Sequence, residues 1–239
     1  MSSSRREQRW TVKVGAEETT ALFEPAAESS GALFVCAHGA GGHLSDGGME
    51  LVAGALRGIG LDLVRFNFLY REKGSRRPDP MPRLQECFLA VIERALLESD
   101  PTLLLLGGRS MGGRAASMLA ADGTACDGLV LLAYPLHPAG QPEKLRDAHL
   151  DRITVPVLCF NGTRDSLCRQ DLMEGVLRRL GPTWNMRWLE AADHGFHVPK
   201  SSGRSDPDVL TEIAEVSRSW LSMIPHRRRG GGPRERTRS

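Results

Sequence analysis

Five residues, Gly108-Arg109-Ser110-Met111-Gly112, carry the strongest chemical signal in this sequence. They follow a run of leucines and precede a stretch of small residues, which predicts a sharp turn from a buried strand into a helix. The glycines leave room for a strained serine backbone that holds the hydroxyl clear of the sheet. We predict that Ser110 is a nucleophile and that the Met111 N–H, at the positive end of the helix, stabilises an oxyanion. The alternative is a glycine-rich turn with an incidental serine.

The glycine-rich segments do not fit the common phosphate-binding patterns. The turn around Ser110 lacks the lysine and the glycine spacing of a nucleotide-binding P-loop. His38-Gly39-Ala40-Gly41-Gly42 contains G-x-G, but no third glycine follows in register and no acidic residue ends the next predicted strand. We therefore expect no nucleotide and no other cofactor.

A nucleophilic serine needs a histidine base and a carboxylate that orients it. On strand–turn–helix folds of this kind, the chain order is serine, then acid, then histidine. Asp165 comes just after the predicted strand 155–160, and His194 follows the predicted strand 184–188. We predict that Asp165 is the orienting acid and His194 the base, with His197 as the alternative base.

The turn after the third predicted strand is the expected source of a second oxyanion donor. We assign that donor to the Ala40 N–H, because the neighbouring glycines let the backbone approach a substrate oxygen. His38 is expected to bond loop backbone. The basic loop that begins at Arg71 indicates either an anionic acyl substrate or a solvated surface. The predicted pocket residues are His38, Gly39, Gly41, Arg71, His137 and His197.

The elements that must position these residues alternate along the chain. Apolar runs of strand length without internal alternation predict strands buried on both faces, and intervening helical periodicity predicts helices on both sides of a mostly parallel sheet. The predicted strands are 10–14, 19–23, 33–37, 61–68, 103–106, 129–133, 155–160 and 184–188. The predicted helices are 49–56, 81–98, 112–121, 172–180 and a last one with Asp206 as N-cap and Pro207 as first residue. The chemistry is expected at the carboxyl ends of the strands.

These motifs together resemble serine hydrolases of the α/β-hydrolase fold. The resemblance is to the dienelactone-hydrolase-like branch that includes testis-expressed hydrolase-like proteins, and it covers roughly residues 30–222. It implies triad roles for Ser110, Asp165 and His194. The sequence departs from that branch at two places. Leu69 stands where such proteins tend to have proline. Phe196-His197 stands where they more often have small or aliphatic residues. The motifs that carry the resemblance are 38–42, Arg65-Phe66-Asn67-Phe68, 108–114, Tyr134-Pro135-Leu136-His137-Pro138 and Ala192-Asp193-His194.

The resemblance and the residues together imply a serine esterase that acts on a small acyl substrate. A thioesterase or acyltransferase with the same triad, and a non-catalytic binding module on the same fold, are the alternatives. About 20 residues, from His137 to Pro156, separate two predicted strands at the place where a lid domain usually inserts. We therefore expect no lid and an open pocket.

Composition bounds the remaining possibilities. The formal net charge is +2 over 239 residues, but residues 226–239 contribute +5, so the remainder is mildly acidic and no nucleic-acid partner is expected. The five cysteines are widely spaced, which indicates a reducing, cytoplasmic setting. His194-x-x-His197 lacks a third metal ligand, so we expect no metal site. No apolar run has membrane-spanning length. We expect disordered ends at 1–8 and 226–239 around one domain at 9–225, with no feature that defines an oligomeric state.

Overall fold

The structure, a computed structural model, describes residues 6–225. The predicted tail at 226–239 and the first five residues lie outside the described part of the chain. The first strand begins at Gln8, which is inside the terminal segment that we expected to be disordered.

Eight strands form one sheet in the order β1-β2-β4-β3-β5-β6-β7-β8. The pairs β1–β2 and β2–β4 are antiparallel, and every other pair is parallel. The strands are β1 Gln8–Val14, β2 Glu17–Glu24, β3 Ala32–Ala37, β4 Asp62–Phe66, β5 Leu103–Arg109, β6 Gly128–Leu132, β7 Val157–Gly162 and β8 Trp184–Leu189. The sheet confirms the predicted α/β-hydrolase architecture.

Helices cover both faces of the sheet. Side chains of α3, α4 and α5 pack with one face in a single apolar cluster, and side chains of α1 and α6 pack with the other face. Each inner strand is therefore buried on both sides, which is why its sequence is continuously apolar. The helices are α1 Gly47–Arg57, α2 Leu69–Glu72, α3 Met81–Ser99, α4 Met111–Ala121, α5 Gln170–Leu177 and α6 Asp206–Leu221.

Two local predictions were wrong. The strand predicted over 61–68 ends at Phe66, and the chain turns into the short helix α2, whose Tyr70 N–H donates to the Asp79 carboxylate. The N-cap of α6 is Ser205 and not Asp206, because Ser205 and Asp208 form a reciprocal capping box. The Asp206 carboxylate instead accepts from the Val198 N–H and pairs with His197.

The connection from β6 to β7 carries no lid. Within the described residues it contains only a short 3₁₀ helix, Leu150–Arg152. The carboxyl ends of the parallel strands are therefore left uncovered by an inserted domain.

All five cysteines are buried. Burial raises the pKa of Cys36 and of Cys87 to about 12, so both remain protonated thiols at neutral pH. They behave as small apolar side chains of the core. Among residues 6–225, no helix combines the length and apolar character that crossing a bilayer requires.

We expect opposite effects from alanine at two helical glycines. A β-carbon on Gly112 in α4 would lie 2.4 Å from the Ala37 carbonyl oxygen, whereas one on Gly54 in α1 meets nothing within 4 Å. Gly112→Ala should destabilise the protein by at least about 2 kcal/mol, since backbone must move to admit the methyl group. Gly54→Ala should stabilise it by about 1 kcal/mol. Urea unfolding of the two variants checks this, and equal midpoints would contradict it.

Candidate active site

Ser110 lies in a strained turn between β5 and α4. Its φ is 52°, a left-handed value that a side chain rarely adopts, and its N–H donates to the Leu132 carbonyl at 2.8 Å. The neighbouring Gly108 and Gly112 both press on the Ala37 carbonyl oxygen, where added β-carbons would lie at 2.2 and 2.4 Å. The turn therefore requires glycine at both places, as the sequence predicted.

His194 is held by a tight turn that follows β8. The Asp193 carboxylate accepts from the N–H groups of Gly195 at 2.7 Å and His197 at 3.0 Å. Asp193 therefore bonds the backbone of its own turn. The Arg109 guanidinium also donates to the His194 carbonyl at 3.1 Å and lies 6.0 Å from the centre of the Phe196 ring.

Asp165 is fixed just beyond the end of β7. Its Oδ1 accepts from the Leu167 N–H at 2.8 Å, and its Oδ2 accepts from the Asn161 side-chain amide at 3.0 Å. Asn161 is itself locked, because its amide donates to the Tyr134 carbonyl and accepts from the Tyr134 N–H. The Asn161-Gly162 pair reads as a turn signal in the sequence, so this supporting role was missed.

The loops that carry Asp165 and His194 are joined by backbone contacts. The Arg164 N–H donates to the Ala192 carbonyl at 2.9 Å. Gly162 approaches the same carbonyl so closely that a β-carbon there would lie 2.0 Å from it. This contact determines the separation of the carboxylate and the imidazole.

His194 bridges Ser110 and Asp165. Its Nδ1 lies 2.9 and 2.8 Å from the two Asp165 oxygens, and its Nε2 lies 2.9 Å from the Ser110 hydroxyl oxygen. Because carboxylate oxygens only accept, Nδ1 carries the proton in the neutral ring and Nε2 accepts from the hydroxyl. The Asp165 side chain is fully shielded from solvent, whereas that of His194 is 26% exposed. The three side chains thus have the geometry of a serine nucleophile with its base and orienting acid.

Ala40 and Met111 line the same cavity as Ser110. Within residues 6–225, neither amide donates to another protein group. A β-carbon on Gly39 would lie 3.4 Å from the Ser110 side chain, which is an ordinary van der Waals contact. Two unengaged N–H groups on residues that line one cavity are candidates to hold an oxyanion.

Side chains of the β4–α2 segment hold the loop that carries Ala40. The Asn67 side-chain oxygen accepts from the Leu44 N–H at 2.8 Å, and the buried Arg65 donates to the Leu44 carbonyl. The Tyr70 hydroxyl accepts from the Gly41 N–H at 3.3 Å. The motif Arg65-Phe66-Asn67-Phe68 therefore supports the loop.

His38 and His137 bond backbone. His38 donates from Nδ1 to the Gly39 carbonyl at 2.7 Å and accepts from the Phe68 N–H at 3.2 Å, and burial lowers its pKa to about 4. His137 lies 3.0 Å from the Pro138 carbonyl and accepts from the Arg169 N–H at 3.2 Å. The expectation that His38 bonds loop backbone agrees with these contacts.

Arg71 and His197 bond groups other than the Ser110 hydroxyl. Arg71 donates to the Ser75 carbonyl at 2.9 Å within its own loop. His197 pairs with Asp206 at 2.9 Å, a contact that raises its pKa, and its side chain is 66% exposed. Neither lines the cavity beside Ser110, so His197 does not occupy the position of the base.

The cavity beside Ser110 has a volume of about 250 Å³. Its polar lining is supplied by Ser110 and by Arg114 and Arg146, two arginines that no pattern in the sequence singled out. The other lining residues are Ala40, Met111, Pro135 and Leu167. A larger cavity of about 600 Å³ lies at the opposite edge of the sheet, next to residues 57–60, and is remote from this chemistry.

Comparisons with known proteins agree with this architecture. The family model described as alpha/beta hydrolase domain matches residues 30–222. An α/β serine hydrolase homologue from Coxiella burnetii has 20% identity and a TM-score of 0.72, with 90% of this chain and 97% of that chain covered.

Two further solved structures are similar. A serine hydrolase without a lid from Xanthomonas campestris has 22% identity and a TM-score of 0.72, over 92% of this chain and 97% of that one. A dienelactone hydrolase from Anabaena variabilis has 19% identity and a TM-score of 0.69, over 93% of this chain and 99% of that one. At these identities the likeness shows a shared fold.

We expect Arg109 to hold the turn that carries His194. Arg109→Met removes the hydrogen bond to the His194 carbonyl and the contact with Phe196, so the turn should open more often. Hydrogen exchange at the amides of Gly195, Phe196 and His197 should accelerate at least tenfold. Arg94→Met, which removes a guanidinium that lies over Trp10, is the matched control and should leave these amides unchanged. Unchanged exchange in Arg109→Met would show that the turn holds itself.

Proposed function

This chain belongs to the alpha/beta hydrolase domain family, and from that premise we propose that it is a serine hydrolase that cleaves small carboxylic esters through an acyl-enzyme. The observation that carries the proposal is the bridge formed by His194, which lies 2.9 Å from the Ser110 hydroxyl and 2.8 Å from Asp165. Shared fold alone would not support it, because folds of this kind host many activities.

In the proposed first step, Ser110 attacks the ester carbonyl. Its proton passes to His194 Nε2 while the Oγ–carbon bond forms, and the carbonyl π electrons move onto the oxygen. The Ala40 and Met111 N–H groups stabilise that oxyanion. As the intermediate collapses, the bond to the alkoxy group breaks and His194 returns the proton to the leaving alcohol.

Water completes the cycle. His194 removes a proton from water as the hydroxyl oxygen attacks the acyl carbon, and the second collapse releases the carboxylic acid. The proton then returns to the Ser110 oxygen. Asp165 keeps the Nδ1 proton in place throughout, so Nε2 always faces the reacting atoms. A thioester, or an acceptor other than water, would use the same groups.

A second serine–histidine contact provides an internal control. Ser117 lies 2.8 Å from His149 Nε2, but its hydroxyl donates to the Arg114 carbonyl and therefore accepts from the imidazole. The imidazole is therefore the donor in this hydrogen bond, whereas a general base must accept the proton of the serine hydroxyl. Ser117 is also completely buried, so no substrate reaches it.

We expect fluorophosphonate labelling to depend on Ser110. Ser110→Ala should abolish labelling and lower turnover of 4-nitrophenyl butyrate by at least about 10⁴-fold, since the acyl acceptor is removed. Ser117→Ala should still be labelled. Intact-protein mass spectrometry and absorbance of the released nitrophenolate measure the two effects. Full labelling of the Ser110→Ala variant would refute the proposal.

We expect Asp165→Asn to impair catalysis without removing the nucleophile. The amide donates where the carboxylate accepted, which favours the wrong imidazole tautomer and lowers kcat by roughly 10⁴-fold. Slow labelling of Ser110 should remain. Wild-type turnover in this variant would mean that Asp165 does not orient the base.

A further inference from the structure

Two arginines share the cavity beside Ser110, and neither has an acidic partner. Arg114 reaches it from α4, and Arg146 reaches it from the β6–β7 connection. Within residues 6–225, no Asp or Glu forms a salt bridge with either guanidinium. The Arg114 Nε is buried without a hydrogen-bond partner. Buried donors of this kind normally find an acceptor, and none of the described residues 6–225 supplies one to this Nε.

Both arginines extend from a fixed backbone. The Arg114 N–H donates to the Ser110 carbonyl at 3.0 Å, which places Arg114 one helical turn beyond the nucleophile on the same face of α4. The Arg146 N–H donates to the Leu136 carbonyl at 2.7 Å, and the Arg146 carbonyl accepts from the buried Tyr134 hydroxyl at 2.6 Å. Both residues are therefore anchored through their backbones at the cavity that Ser110 also lines.

The like charges oppose each other. Burial, and then the nearby charge of Arg114, lower the pKa of Arg146. The rest of the lining is Ser110 and the apolar side chains of the cavity, with no carboxylate among them. A bound anion would relieve this repulsion and supply acceptors to both guanidinium groups.

We propose that this cavity selects an ester whose acyl chain ends in an oxyanion, a carboxylate or phosphate, held by Arg114 and Arg146. The inference rests on the proposed function, because it concerns the acyl group delivered to Ser110. At about 30 Å³ per non-hydrogen atom, 250 Å³ accommodates about eight such atoms, the size of a glutaryl group. The guanidinium fork suits both oxyanions.

The loop that begins at Arg71 had two interpretations, an anionic acyl substrate or a solvated surface. Arg71 bonds the Ser75 carbonyl and does not line the cavity beside Ser110. The cations that face the nucleophile come instead from α4 and from the β6–β7 connection.

The kinetic test compares two esters of matched shape. The probes are 4-nitrophenyl hemiglutarate and the neutral 4-nitrophenyl 5-methylhexanoate, and kcat/KM should favour the anionic ester at least tenfold. In Arg146→Met this ratio should fall at least tenfold, and Arg146→Lys should recover part of it. Arg94→Met is the matched control. The Arg94 Nε is also buried without a hydrogen-bond partner, but Arg94 lies on α3 and does not line the cavity. An unchanged ratio in Arg146→Met, or a loss confined to Arg71→Met, would overturn the proposal.

A binding measurement separates this inference from the hydrolase itself. Calorimetric titration of Ser110→Ala with monomethyl glutarate, and separately with inorganic phosphate, should show binding of at least one probe that weakens at least tenfold when Arg146→Met is added. The tighter probe identifies the oxyanion. Binding of neither probe would refute the anion site even if Ser110 is labelled in the wild type. Absence of labelling together with Arg146-dependent binding would refute the hydrolase and retain the anion site.

Discussion

The serine turn packs directly against the Ala37 carbonyl at the carboxyl end of β3, and the position of the site depends on this contact. Gly108 and Gly112 both approach this oxygen to distances that no side chain allows. That contact holds the start of α4 against the end of β3 and leaves Ser110 with a left-handed backbone. The same strand end begins the loop that carries Ala40. One close backbone contact therefore locates the hydroxyl and both amides that can hold an oxyanion.

The other parts of the site are connected to this point by hydrogen bonds between loops. Asn161 links the end of β6 to the Asp165 carboxylate, and Arg109 links the serine turn to the His194 carbonyl. The Asn67 side chain accepts a hydrogen bond from the Leu44 N–H and so holds the loop after β3. Groups fixed in advance need little reorganisation when charge develops, which is the condition under which such a site stabilises an oxyanion.

The short connection between β6 and β7 affects how a substrate is recognised. An inserted lid would surround the acyl group with apolar surface, but the described residues provide none. Under the proposed function, recognition would come from the strand-end loops and from α4 itself. The cations at Arg114 and Arg146 lie on those elements. In the basic loop after β4, Arg71 bonds the Ser75 carbonyl and Lys73 pairs with Glu17.

The sequence by itself determined the order of strands and helices along the chain and a short set of candidate site residues, with His194 and His197 both open as the base. Those features depend on local rules: apolar runs form buried strands, glycines permit the turn at Ser110, and parallel strand ends converge at one edge of the sheet. Only the tertiary structure decided the roles of Asn161, Arg109, Arg114 and Arg146. Each of them acts on a partner far away in the sequence or on a shared cavity, and its own neighbours along the chain resemble those of any turn, helix or loop. The same reason explains why His197 and Arg71, which were suitable by type and position, bond elsewhere: side-chain direction follows from packing, which a local pattern does not contain.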